Sequence, residues 1–347
     1  MYIKRILLLI VAIGIVIGGA FAYTVYTSIF SDNTSFNNDR AHLYIATGSA
    51  FNDVVADLAP LLKDVASFTS VAQKKGYNNH VRPGHYIIKK GMSNNEIINT
   101  IRIKNAPIKV AFNNQERLQD MAGRVATQIE ADSTSLITAM LDTNFLREHD
   151  FNNDTALTMY IPNSYEFFWN TSAEDFRARM LSEYKKFWNT TRLAKAAALN
   201  LTPQEVYSIA AIVQKETAKT DERARVAGVY LNRLRDGIKL DADPTVIYAV
   251  KREKNDWNMV IKRVLYKDLE VESPYNTYRN RGIPPGPIFM PDVTAIQAVL
   301  NPEKHDYYYF VADVENFGYH KFAKTLSQHN ANSAAYRQWI NNKGINR

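Results

Sequence analysis

Glu216 is the carboxylate in this chain whose position asks for chemistry. In the stretch "EVYSIAAIVQKET", Val206, Ile209, Ile212 and Val213 recur at helical spacing, and Glu216 follows seven residues after Ile209, four after Ile212 and three after Val213. That register puts it on the apolar stripe of a helix, with Gln214 and Lys215 turned away. A buried carboxylate is costly unless it is paired, protonated or used. Apolar surroundings disfavour ionisation and raise a carboxyl pKa, which is how enzymes keep a glutamic acid protonated near neutral pH to serve as a general acid. The competing reading is a structural ion pair with an arginine of the next helix, Arg233 or Arg223, because such networks also perturb carboxylates.

Two further carboxylates stand nearby in sequence, Asp241 and Asp243 in "LDADPTVIYAV". Asp243 precedes Pro244, and that order reads as a helix cap followed by the first helical residue rather than as a catalytic base.

The elements that must position these groups are legible. Thr202, Pro203 and Glu205 form a start signal of hydroxyl cap, proline in the first turn and glutamate three residues after the cap. A second helix is predicted to open at Thr220, with Asp221 and Glu222 in its first turn, Val226, Val229, Tyr230 and Leu234 as its apolar stripe and Gly237 as its stop. The segment "ESPYNTYRNRGIPPGPIFMP", residues 272–291, holds five prolines and two glycines. It cannot be helix and is poor strand, so it reads as a rigid loop of the kind that presents side chains to a site, or as a stiff connection. "DYYYFVADV" and "YHKFA" predict a closing strand pair, and "TLSQHNAN" the start of the last helix.

Upstream, "PIKVAF" reads as a strand, "NQERLQDMAGRVATQIE" as a helix with Leu118, Met121, Val125 and Ile129 on one stripe, and "SLITAML" as another helix. "MYIPNSYEFFWNTS" breaks the helical pattern with Pro162 and gathers Tyr165, Phe167, Phe168 and Trp169. Such a group is core by default; a platform for stacking sugar rings is the sharper alternative. Nearer the N-terminus, "HLYIATGSAFNDVVADL" gives a strand, a turn at Thr47-Gly48-Ser49 and a helix with Phe51, Val54, Val55 and Leu58 on one face. "VRPGHYIIKKGMSNNEIINTI" repeats that grammar: a turn at Pro83-Gly84, a strand over Tyr86 to Lys89, and a helix led by Ser93 with Glu96 at the capping-box position.

The chain begins with Lys4-Arg5 and then "ILLLIVAIGIVIGGAFAY", uncharged until Asp32, about the span a bilayer core requires. The run exceeds a usual signal-peptide core, and "GGAFAY" is an imperfect cleavage site, so an uncleaved anchor is predicted. The basic side faces the cytoplasm and the remainder lies outside. Residues 31–40 read as a polar linker.

Composition narrows the classes. The 347 residues are 46% hydrophobic, enough for a core in each of two or three domains, and cysteine is absent, which removes disulfides, thiol nucleophiles and Cys-zinc sites. Five Asn-x-Ser/Thr sequons, at Asn33, Asn153, Asn170, Asn189 and Asn200, without disulfides fit a bacterial envelope protein better than a secreted eukaryotic domain. The net charge of +7 is spread along the chain, which argues against nucleic acid as a partner. No metal or cofactor is expected.

The blocks "IAAIVQKET", "RVAGVYLNRL", "LDADPTVIYAV", "YNTYRNRGIPPGPI", "YYYFVAD" and "HKFAKTLSQHN", in that order across residues 205–331, resemble the YceG-like family, endolytic murein transglycosylases of the MltG type. The pair of strand-turn-helix units before them resembles a LysM-like module, a small fold associated with N-acetylglucosamine-containing glycans; a packing domain without sugar affinity is the alternative. The fold class implied is α+β: a cytoplasmic stub at 1–5, a transmembrane anchor at 6–30, a linker at 31–40, a LysM-like subdomain at 41–105 and a mixed α/β catalytic domain at 106–347.

The resemblance implies cleavage of the β-1,4 bond between N-acetylmuramic acid and N-acetylglucosamine in nascent peptidoglycan strands, with 1,6-anhydro ends that limit strand elongation. It makes Glu216 the catalytic acid and places Tyr275, Asn276, Thr277, Asp243 and Thr245 as substrate-binding residues. His320, His329 and Asn330 fall in matching blocks without an assigned role. Family members often carry an acid two positions before the catalytic glutamate, where this chain has Gln214. The implied partners are peptidoglycan strands, the cytoplasmic membrane and synthases such as penicillin-binding proteins. The other classes are a two-carboxylate hydrolase and a noncatalytic wall-binding protein.

Overall fold

A computed structural model describes residues 2–342. In chain order the elements are α1 (Tyr2–Phe30), β1 (Arg40–Ile45), α2 (Phe51–Leu58), α3 (Val65–Lys74), β2 (Gly84–Lys89), α4 (Asn94–Ile103), β3 (Pro107–Phe112), α5 (Leu118–Ala126), α6 (Ser133–Met140), α7 (Thr143–Glu148), β4 (Asn163–Phe168), α8 (Ala173–Phe187), α9 (Thr190–Ala198), α10 (Pro203–Glu216), α11 (Arg223–Arg235), α12 (Asp243–Lys254), α13 (Val293–Leu300), β5 (Tyr309–Ala312), β6 (His320–Ala323) and α14 (Leu326–Asn342). The chain forms two compact units. The first runs to Val110 and takes back Gln128–Ala131 and Tyr165–Ser172; the second comprises the remainder from Ala111.

In the first unit β1 and β2 pair antiparallel, Leu43 opposite Tyr86 and Ile45 opposite Gly84. Period-two alternation turns Leu43 and Ile45 inward, onto Val54 and Leu58 of α2, Phe68 of α3 and Ile97, Ile98 and Ile101 of α4. On the outer face Tyr44 stacks on His85 at 4.7 Å and sits 5.2 Å from Trp169. The predicted aromatic group is therefore divided. It forms strand β4 rather than only an interruption, with Phe167 buried and Phe168 half exposed.

The α4 cap has both bonds of the expected box: Ser93 Oγ accepts from Glu96 N at 3.3 Å, and Glu96 Oε2 accepts from Ser93 N at 2.9 Å.

Residues 31–40 are not a loose tether, contrary to the reading of their polar composition. Asn33 is 5% exposed. Its amide donates to Asp64 O (2.8 Å) and Asn94 Oδ1 (2.7 Å), and its Oδ1 accepts from Asp64 N (2.7 Å). Asn94 donates in turn to Ser28 O at 2.8 Å, and Ile29 packs on the core of this unit. The last turn of α1 is thus built into the first unit. The rest of α1 is long and apolar enough, by length and composition, to cross a bilayer.

In the second unit α10 packs on α13, α11 and α12, and α14 on β5 and β6. β5 and β6 pair antiparallel, Tyr309 opposite Ala323 and Ala312 opposite His320, as the closing strand pair predicted. Val206, Ile209, Ile212 and Val213 are fully buried along α10, and its start carries the predicted capping box between Thr202 and Glu205. Thr202→Ala is expected to lower stability by about 1 kcal/mol, read as a lower urea midpoint for this unit.

Two predicted boundaries move. α11 opens at Arg223 and not at Thr220, because Glu222 occupies the cap position without capping and is engaged elsewhere. Asp243 is the first residue of α12 and makes no cap bond.

Candidate active site

Glu216 is the last residue of α10, where the unpaired carbonyls of the helix end disfavour a negative charge. It retains partial solvent access while protein surrounds its carboxyl closely. Burial raises its pKa to about 7, and the charge of Asp243 adds to the rise; a hydrogen bond from Tyr230 and the charges of His320 and Arg233 oppose it. Tyr230 Oη donates to Glu216 Oε1 at 2.8 Å. Tyr230 is buried on α11, and both burial and the adjacent Glu216 keep its phenol protonated, so it serves as a donor.

Neither arginine proposed as a structural partner pairs with Glu216. Arg223 Nη1 donates to Asp292 at 2.8 and 2.9 Å and to Thr294 at 2.6 Å. Arg233 is 8% exposed. Its Nε donates to Tyr308 O (2.7 Å), and its Nη1 to Lys239 O (2.8 Å), Leu240 O (3.0 Å) and Asp241 Oδ2 (3.0 Å). Asp241 is thereby engaged by Arg233. Gln214 accepts from Asp292 N at 2.6 Å, so the side chain two positions before Glu216 ties α10 to the start of α13.

Asp243 is exposed and accepts from Tyr278 Oη at 2.7 Å. The other residues predicted to bind substrate are differently disposed. Tyr275, Asn276, Thr277 and Thr245 are all at most 1% exposed. Asn276 donates to Leu269 O and Val271 O, each at 2.9 Å, and accepts from Tyr278 N at 3.0 Å. The hydroxyls of Thr245 and Thr277 lie 2.8 Å apart, and Thr277 Oγ1 accepts from Ala242 N at 3.0 Å. Tyr275 donates to Asp154 at 3.0 Å. These side chains fix the 272–291 loop onto α12 and leave Tyr278 and Asp243 at its surface. A buried polar side chain needs partners, and the sequence alone does not distinguish partners in the fold from partners in a ligand.

His320, without an assigned role from sequence, is held by Glu222, which is 4% exposed. Glu222 accepts from His320 N at 2.7 Å and bonds its Nδ1 at 2.8 Å. Burial pushes the Glu222 carboxyl up, but these bonds outweigh it and leave its pKa below the usual value. The His320 ring meets Phe310 edge-on at 5.0 Å, and Phe310 meets Tyr230 at 6.0 Å. His329 instead stacks on Tyr309 at 5.2 Å, and Asn330 is exposed on α14. Sequence reasoning missed Tyr230, Tyr278 and Glu222 as members of this constellation. The available signal was a tyrosine on an apolar stripe, whose hydroxyl requires a partner when buried.

The arrangement offers one protonatable carboxyl on a residue that keeps partial solvent access, a phenol that steadies its ionised form, and a second tyrosine-bound carboxylate. It can donate and recover a proton near neutral pH.

A profile of the YceG-like family matches residues 43–335. A Bacillus subtilis protein named endolytic murein transglycosylase is 29% identical, over 95% of this chain and 93% of its own length. A Streptococcus pneumoniae protein of the same name is 26% identical, over 92% of this chain and 62% of its own length, so the chain spans under two thirds of that relative. Among solved structures, a yceG-like protein from Listeria monocytogenes matches with a TM-score of 0.56 and 26% identity, covering 85% of this chain and 99% of that one.

Proposed function

The chain belongs to the YceG-like family, and from that premise we propose that it is an endolytic transglycosylase of peptidoglycan, with Glu216 as its acid and base. The observation that carries the proposal is a glutamic acid at the end of α10 that accepts from the buried Tyr230, makes no ion pair among the described residues, and has its pKa raised by burial to about 7. Glu216 gives its proton to the glycosidic oxygen as the C1–O bond of the muramoyl unit breaks. The muramoyl 6-hydroxyl then bonds to C1 and releases its proton to the Glu216 carboxylate, leaving a 1,6-anhydro end and the enzyme as it began. No water is consumed. Tyr230 stabilises the ionised intermediate form by a charge-assisted hydrogen bond. Asp241 is engaged by Arg233 and Asp243 by Tyr278; a two-carboxylate hydrolase would use one of them as its base and leave reducing ends one water heavier than anhydro ends.

Asp243 and Tyr278 contact the strand, while Tyr275, Asn276, Thr277 and Thr245 hold the loop that carries Tyr278 in place. The succession β1, α2, α3, β2 with its strands paired supports reading the first unit as a LysM-like, glycan-facing module. α1 anchors the chain with Lys4 and Arg5 on the cytoplasmic side, and the catalytic unit meets strands as synthases such as penicillin-binding proteins extrude them.

Incubating the full chain with purified glycan strands tests the proposal: internal cleavage lowers mean strand length, whereas a wall-binding scaffold retains strands without shortening them. Because the active form is the protonated acid, the rate falls as pH rises through about 7. Tyr230→Phe removes the bond that favours ionisation, so its descending limb moves to higher pH; an unshifted limb would mean Tyr230 does not act on Glu216.

A further inference from the structure

A recess lies in the second unit, at the opposite end of α12 from Asp243. It has a volume of about 310 Å³, and its walls include Arg117, Asp154, Tyr248, Arg252, Trp257 and Tyr275. From Asp243 to Arg252 is nine residues of helix, or about 14 Å along the axis. The 272–291 loop connects the two places: Tyr278 bonds Asp243, whereas Tyr275 bonds Asp154 inside the recess. That wall is tightly built, since a Cβ on Gly286 would fall 1.9 Å from Asp154 O.

The chemistry of the recess is mixed in charge and aromatic. Asp154 takes Arg252 at 2.9 Å as well as Tyr275, Lys251 pairs with Glu116 at 2.9 Å, and Arg117 with Asp120 at 2.6 Å. Arg117 lies 4.7 Å from the centre of the Trp257 ring and Arg252 4.8 Å from that of Tyr275, with Tyr248 against the edge of Trp257 at 5.3 Å. Aromatic faces already carrying guanidinium groups are poor platforms for a pyranose. Asp120 takes Nε and Nη2 of Arg117 and Asp154 takes Nη1 of Arg252, so each guanidinium keeps further N–H groups, which suit the carbonyl and carboxylate oxygens of a peptide.

We infer that this recess binds the stem peptide borne by the glycan strand, a short chain carrying carboxylates and an amine, while the sugars lie along the N-terminal end of α12. The inference rests on the proposed function for the identity of the strand. It makes Trp257, Arg117 and Arg252 determinants of substrate choice, remote from the proton transfer.

The test is calorimetric titration of the full chain in detergent, carrying Glu216→Gln so that strands stay intact, with peptide-bearing strands and with the same strands stripped by an amidase. Peptide-bearing strands are expected to bind about tenfold more tightly, the scale of one charge-assisted contact. Adding Trp257→Ala, or separately Arg252→Ala at an exposed position, reduces their affinity to that of stripped strands. Equal affinity for the two strands, a preference that survives both substitutions, or an equal loss on both strands would each overturn the inference. Cleavage of peptide-bearing strands by the unsubstituted chain reports on the proposed function alone: no cleavage there, with the binding preference intact, sinks that function and leaves the peptide site standing.

Discussion

Glu216→Gln is expected to reduce strand cleavage by about 10⁴-fold, the upper range for loss of general acid and base catalysis, with the fold intact. The size follows from Glu216 serving both half-reactions, as donor to the glycosidic oxygen and as acceptor from the 6-hydroxyl. The fold survives because glutamine matches the protonated glutamic acid in shape and still offers an oxygen to Tyr230, whose donation at 2.8 Å would otherwise be lost in a buried setting. Cleavage of purified strands followed over time, beside a thermal melt, checks both parts. A variant that melts as the parent and still cleaves removes Glu216 from the mechanism.

The largest structural effect is expected at Arg233. Its guanidinium joins the carbonyls of Tyr308, Lys239 and Leu240 to the carboxylate of Asp241, and so pins the turn after α11 to the segment that enters β5. Arg233→Ala leaves those acceptors without their buried donor. The expected loss is about 3 kcal/mol, the low end for breaking a buried pair, since Asp241 is itself partly exposed. Arg233→Lys should restore little, because a point ammonium cannot reproduce a planar fork. Urea unfolding of the second unit measures this. A loss under 1 kcal/mol for Arg233→Ala would show that the bonds are replaced by solvent.

How much of this was legible in the sequence depended on the range of the interactions. The helix carrying Glu216 could be read in full: its cap is local, between Thr202 and Glu205, and its apolar stripe is periodic. The inward aim of Glu216 followed from that period. Glu222 could not be read, because in the first turn of a predicted helix an acid looks like a dipole partner, whereas here it holds His320 from 98 residues away. The same holds for Asn33, which composition assigns to a linker and the fold commits to Asp64 and Asn94, 31 and 61 residues on. The 272–291 segment was legible as a non-helical loop, but not which of its side chains the fold consumes. Asn276 bonds to backbone carbonyls and Thr277 to Thr245 of α12, so the partly exposed side chain is a neighbour that sequence reasoning passed over, Tyr278.

The central claim is that one carboxylate works twice, with the sugar's own hydroxyl in place of water. Digesting purified strands in ¹⁸O-labelled water and weighing the new ends tests it directly. The account predicts products one water lighter than reducing-end fragments and free of label; labelled reducing ends would mean that water attacks, and would contradict it.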